Sequence, residues 1–182
     1  MADAIRASAP RQWALRVAYA ALCLALIMFA LLPLETVPRL WAGPDLLLGL
    51  TLVWSLRRPE LAPLPLIAAI FLLSDLLQMR PPGLMAAIAT YVIYRTQRRA
   101  RPMRDRSFLA EWMTASIAAA LVLLGYWLAL GLFFLDKPPV PVVLTQLVMT
   151  ALFYPVLAAF SSAVFGLRRA ALGEVDSLGH RI

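Results

Sequence analysis

The 182-residue sequence predicts a single all-α membrane domain of about six helices, with both termini in the cytoplasm. Three observations lead there. Hydrophobic residues make up 62% of the chain and charged residues only 15%, with a mean hydropathy of +0.79. A soluble domain of this size could not cover that much apolar surface, whereas lipid can solvate it. Apolar runs recur at 13–33, 44–56, 61–78, 83–95, 108–135 and 140–167. The Lys and Arg residues, seventeen in all, gather at the ends of those runs. A net charge of +7 could also suggest nucleic acid, but basic residues placed this way are the mark of membrane orientation, so no nucleic-acid binding is expected.

The first run follows Arg6, Arg11 and Arg16, as the apolar part of a signal peptide would. It is long, however, and lacks a small-x-small cleavage site. Residues 20–23 read Ala-Ala-Leu-Cys, with Leu22 where a lipoprotein signal needs a small residue. We expect it to be retained. The second and fourth runs are short: at 1.5 Å per residue, thirteen residues cover about 20 Å of a hydrocarbon core about 30 Å thick. Charge argues that they cross all the same. With six crossings and the N-terminus inside, the cytoplasmic segments hold Arg57 and Arg58, the arginines of the 95–106 loop, and Arg168, Arg169 and Arg181, while only Arg39, Arg80 and Lys137 fall outside. Removing the fourth crossing alone would put the six arginines that follow it outside, and removing both short crossings would also invert the two charge-rich loops, against the positive-inside rule. Longer neighbours or a thinned bilayer would accommodate the short helices.

Pro44, Pro63, Pro82 and Pro141 stand near first turns, where no backbone donor is lost. Pro155 lies inside the sixth run, so it should kink that helix and leave a carbonyl that needs a partner from a neighbouring helix. Trp13, Trp54 and Trp112 suit a cytoplasmic interfacial belt and Trp41 an outer one, with Trp127 deeper and packed on another helix. The tail 171–182 reads as short and polar.

Polar residues inside the runs are the candidates for function. Asp75 is the most informative, because a carboxylate at that depth is costly. Its first reading is structural, accepting backbone hydrogen bonds or pairing with Arg80 to fix the turn that runs through Pro82 and Gly83; after that come contact with a partner and coupling to a proton or substrate. Asp45 and Glu111 read as helix-start residues favoured by the helix dipole, with Arg104 or Arg106 as further partners for Glu111. Ala14, Ala18, Ala21 and Ala25 form a small-residue face on the first helix, as do Ala159 with Ala163 and Ser162 with Gly166 on the sixth. Such spacing serves packing within the chain or docking of another membrane helix. The loop bearing Arg98, Arg99 and Arg101 would hold topology and attract anionic lipid headgroups, or meet a cytoplasmic protein. One cysteine, Cys23, and one histidine, His180, allow neither an intrachain disulfide nor a metal cluster. There is no Gly-rich phosphate loop and no serine with a nearby histidine. We therefore expect no enzyme and no cofactor.

Two segments resemble a known family. Pro44-Asp45-Leu46-Leu47-Leu48, Trp54 and Arg57-Arg58-Pro59-Glu60 are similar to the second hairpin of the rod-shape-determining MreD proteins, and Ser74-Asp75-Leu76-Leu77 with Pro82-Gly83-Leu84 is similar to their third-to-fourth helix turn. The likeness is strongest over about residues 44–95. It departs from the family at Gln78-Met79-Arg80, where small residues are usual. The resemblance implies a non-enzymatic component of the bacterial inner membrane that binds MreC and works beside MreB, RodA and RodA's penicillin-binding transpeptidase in cell-wall elongation. It also implies a fold like the substrate-binding component of energy-coupling-factor vitamin transporters. That fold suggests an alternative, a small-molecule-binding subunit whose pocket would open among the turn after Asp75 and the loops at 34–44 and 136–140. Few polar groups in those segments would orient a ligand.

Overall fold

Long apolar stretches with few internal breakers can satisfy their backbone only as helices when lipid surrounds them. The computed structural model describes residues 2–32, 42–100 and 107–167. Trp41, Arg101, Arg104, Arg106, His180 and the tail fall outside these. The described residues form six helices and no strand: α1 Ala2–Ala30, α2 Leu46–Arg57, α3 Leu64–Leu77, α4 Leu84–Ala100, α5 Phe108–Leu132 and α6 Val140–Phe165. Three contain stretches long and apolar enough to cross a membrane: Pro10–Ala30, Phe108–Leu132 and Val140–Phe165. α2 and α3 are shorter and apolar.

Two helices exceed the apolar runs. α1 begins well before residue 13, and α4 continues through Arg95, Arg98 and Arg99. In both places hydropathy falls while the helix continues, in α4 through residues of good helix propensity and in α1 across Pro10, so an apolar run does not mark the end of a helix. α5 stops at Leu132, short of residue 135, because Phe134 turns left-handed at φ 55°.

Successive helices run in opposite directions between two ends. At one end Arg16 of α1 donates to the Glu60 carbonyl (2.9 Å), Gln97 of α4 reaches the Ala62 carbonyl (3.5 Å), and Arg57 of α2 meets Glu111 of α5 and Ser162 of α6. At the other end the start of α2 is tied to α6, where the Ala42 and Asp45 N–H groups donate to the hydroxyls of Thr145 (3.1 Å) and Thr150 (2.8 Å). We refer to these as the arginine end and the turn end.

The short α2 is the axis of the bundle. Every residue from Leu48 to Ser55 is buried, and it packs against α1, α4, α5 and α6. Gly49 lies so close to α6 that an added Cβ would stand 2.7 Å from Leu157 Cδ1. A helix wrapped by longer neighbours need not match the lipid thickness itself. Trp54 is fully buried, ringed by Tyr19 (5.3 Å between centroids) and Phe165 (5.4 Å), so it is a core residue and not part of an interfacial belt. α1 joins the bundle through Tyr19, Cys23 and Ile27, spaced by four, with the Tyr19 and Thr51 hydroxyls 3.0 Å apart. Ala14, Ala21 and Ala25 face outward and Ala18 is half-buried, so the alanine face is not what packs α1. Ala159 and Ala163 face outward too.

Pro155 behaves as its position requires. The carbonyl four residues earlier, at Ala151, cannot receive a helical bond, and Trp112 Nε1 of α5 donates to it at 2.7 Å. Trp127 is half-buried and packs against the core, as expected, but near the end of α5, where its Nε1 donates to the Pro138 carbonyl (3.0 Å) and Lys137 Nζ lies 4.5 Å from its ring, tying the α5–α6 connection.

Candidate functional site

The turn between α3 and α4 is organised by Asp75. Its side chain is fully buried, and Oδ2 accepts from the N–H groups of Gly83 (3.1 Å) and Ala86 (3.2 Å). A carboxylate from α3 thus caps the first turn of α4, where unpaired donors and the helix dipole favour a negative charge. Oδ1 is buried without a hydrogen-bond partner among the described residues. Gly83 is needed at φ 83°, and Gln78 Nε2 braces Ser74 Oγ at 2.8 Å. The expected pairing with Arg80 takes another form. The Arg80 backbone N–H donates to the Asp75 carbonyl (2.9 Å), closing a Schellman turn with Met79 at φ 52°, while the guanidinium stays within electrostatic reach of the carboxylate without forming an ion pair. Among the described residues Arg80 makes no ion pair. Asp45 is the N-cap of α2, its Oδ1 accepting from Leu48 N–H at 2.9 Å, as its place after Pro44 led us to expect.

These segments frame a cavity of about 680 Å³ at the turn end. Its walls come from the start of α2 (Asp45), the α3–α4 turn (Arg80, Pro82), α5 (Tyr126, Leu130), the α5–α6 connection (Leu135, Asp136) and α6 (Val143, Gln146). Leu135 is delivered by a second Schellman turn, its N–H donating to the Leu130 carbonyl at 2.9 Å beyond the left-handed Phe134. The scarcity of polar groups expected here does not hold. Side chains that sit far apart in sequence converge on one space, and no single segment displays the set.

A second, open cavity of about 460 Å³ runs along the outside of α3 and α4, lined by Ala68, Ala69, Ala86, Ala87, Gly83 and Thr90 with Leu72 and Tyr91 at its edges. The Thr90 hydroxyl oxygen is buried and has no hydrogen-bond partner among the described residues.

At the arginine end sequence reasoning missed a polar cluster. Arg57 Nε donates to Glu111 Oε1 (2.8 Å), and its Nη1 lies within reach of Ser162 Oγ (2.6 Å) and the carbonyls of Ala158 (3.0 Å) and Leu167 (3.2 Å). Tyr154 donates its hydroxyl to the same Glu111 oxygen at 2.8 Å. The ion pair is nearly excluded from solvent, with side-chain exposures of 8% and 11%. Arg57 is therefore a tie between α2, α5 and α6 as well as a topology charge, and Glu111 has a partner on α2 beyond its helix-start role. Arg98 lies over the Tyr94 ring (4.8 Å) and, with Arg99, is exposed at this end.

Compared with known proteins, the chain matches no family model, no curated protein and no solved structure.

Proposed function

We propose that this chain is a six-span, multi-pass protein of the bacterial inner membrane, with both termini and the arginine end in the cytoplasm, and that it acts as a non-enzymatic scaffold of the MreD kind. In this reading it binds the membrane anchor of MreC and supports peptidoglycan synthesis by RodA and its penicillin-binding transpeptidase, with MreB on the cytoplasmic side. The observation that carries the reading is the small-residue groove along α3 and α4. Within lipid, helices associate through close van der Waals packing and interhelical hydrogen bonds, and small residues let backbones approach. A groove floored by alanine and glycine, with an unbonded threonine hydroxyl, has the form that a single docking helix fills. The polar chemistry deeper in the bundle is largely spent on the fold: Asp75 on the α4 cap, and Arg57, Glu111 and Tyr154 on one another.

Co-purification from detergent tests this. MreC should be recovered with the native chain, and filling the groove with Ala87→Leu should cut recovery by about tenfold while leaving expression unchanged, since Ala87 faces outward. Equal recovery by the variant would remove the groove from the interface, and failure to recover MreC with the native chain would count against the scaffold.

A second reading, a small-molecule-binding subunit of a transporter, is favoured by the turn-end cavity, whose size suits a ligand. Strong thermal stabilisation by one metabolite, in the absence of MreC binding, would favour it.

A further inference from the structure

The turn-end cavity holds charges of both signs that do not meet. Arg80 is half-buried in its wall, within electrostatic reach of the Asp75 carboxylate, and half-buried Asp45 and exposed Asp136 line the same space, yet among the described residues none of the three makes an ion pair. Opposite charges brought into one partly enclosed space normally close on each other, because their attraction rises as water is excluded. Arg80 follows the Schellman turn at the end of α3, Asp45 is engaged by its N-cap bond to Leu48, and Asp136 stands in the connection that Trp127 and Lys137 brace. Between them the Tyr126 hydroxyl and the Gln146 amide make no hydrogen bond among the described residues. Leu123, Leu130 and Val143 supply an apolar wall.

We propose that this cavity binds a zwitterion carrying a phosphate and a primary ammonium, the phosphate answered by Arg80 and the ammonium by Asp45 and Asp136. A guanidinium offers a planar fork of donors suited to phosphate oxygens. Carboxylates accept from the N–H groups of a primary ammonium, which a quaternary one lacks. The same chemistry is presented by a phosphatidylethanolamine headgroup, for which the apolar wall receives the glycerol and first methylenes, and by soluble O-phosphoethanolamine. The inference rests on the second reading only in taking the cavity as a ligand site; it requires no transport and is compatible with a scaffold.

The test uses the full chain in non-ionic detergent, titrated calorimetrically with short-chain phosphatidylethanolamine, phosphatidylcholine and phosphatidylglycerol, and with O-phosphoethanolamine. Phosphatidylethanolamine is expected to bind saturably. Arg80→Gln should weaken it by about tenfold, the loss expected for a charge-assisted bond. The double variant Asp45→Asn with Asp136→Asn should do the same, with the melting temperature held because asparagine is as good an N-cap as aspartate. Phosphatidylcholine and phosphatidylglycerol should bind at least about tenfold more weakly. O-phosphoethanolamine binding as tightly as the lipid assigns the site to a soluble zwitterion, and much weaker binding assigns it to the lipid; both support the proposal. Equal binding of phosphatidylglycerol, or affinity indifferent to Arg80→Gln, overturns it. So does an absence of saturable binding by protein with a native melting profile. If a metabolite without the phosphate–ammonium pair stabilises the native chain but not Arg80→Gln, the proposed class fails while the cavity stands as a ligand site. If nothing tested binds there, both fail.

Discussion

Asp75 shows how much one side chain can organise inside a helical bundle. Asp75→Ala would leave the Gly83 and Ala86 N–H groups buried and unpaired, at a cost of about 1–3 kcal/mol for each lost partner. Asp75→Asn keeps an accepting oxygen and should lose less than half as much; thermal unfolding in detergent ranks the two, and equal losses would remove the cap as the reason for the residue. The Arg57–Glu111 pair gives a sharper contrast. Glu111→Ala leaves a nearly buried guanidinium uncompensated and should destabilise by about 3–5 kcal/mol. Replacing both partners with apolar residues, Arg57→Met with Glu111→Leu, should recover most of that loss. A double variant no more stable than Glu111→Ala would mean that the remaining Arg57 bonds, to Ala158, Ser162 and Leu167, dominate. Asp75 was legible in the sequence because a carboxylate within an apolar run has few explanations. Arg57 and Glu111 were not, because they lie 54 residues apart at the ends of different runs, where each looks like an ordinary loop charge.

At the scale of elements, the two Schellman turns carry side chains into the cavity, and each places a non-glycine residue at positive φ: Met79 at 52° and Phe134 at 55°. A left-handed backbone costs an ordinary residue about 1–2 kcal/mol, so Met79→Gly should raise stability by about 1 kcal/mol, since the nearly fully exposed side chain packs on little. A fall in the denaturation midpoint would show that the Met79 side chain contributes contacts that outweigh the strain. Helix number and the proline-marked starts were read correctly from hydropathy. Helix ends were not, since α4 continues into its arginines and α1 begins in a polar segment. The role of Trp54 was misread for a related reason. A tryptophan near the end of an apolar run looks interfacial, and only the position of α2 at the bundle axis makes it a core residue. The alanine spacing on α1 could be seen in sequence, but the face that packs is the one bearing Tyr19, Cys23 and Ile27.

The whole molecule is a bundle whose two ends differ in chemistry. The arginine end gathers Arg16, Arg57, Arg58, Arg95, Arg98 and Arg99, while the turn end carries Arg80 and Lys137 beside Asp45 and Asp136. This asymmetry follows from alternating helix direction, and it supports an orientation in which the arginine end faces the cytosol. The groove proposed for a partner helix must lie within lipid, and in this orientation the cavity proposed for a zwitterion opens on the side opposite the arginine end. The most direct measurement is cysteine accessibility in spheroplasts with a membrane-impermeant maleimide. Cys23 is buried and gives little background. Met79→Cys, at the exposed tip of the turn, should label rapidly in intact spheroplasts, and Arg99→Cys should label only after lysis. Labelling of Arg99→Cys before lysis, or protection of Met79→Cys until lysis, would contradict the proposed path of the chain through the membrane.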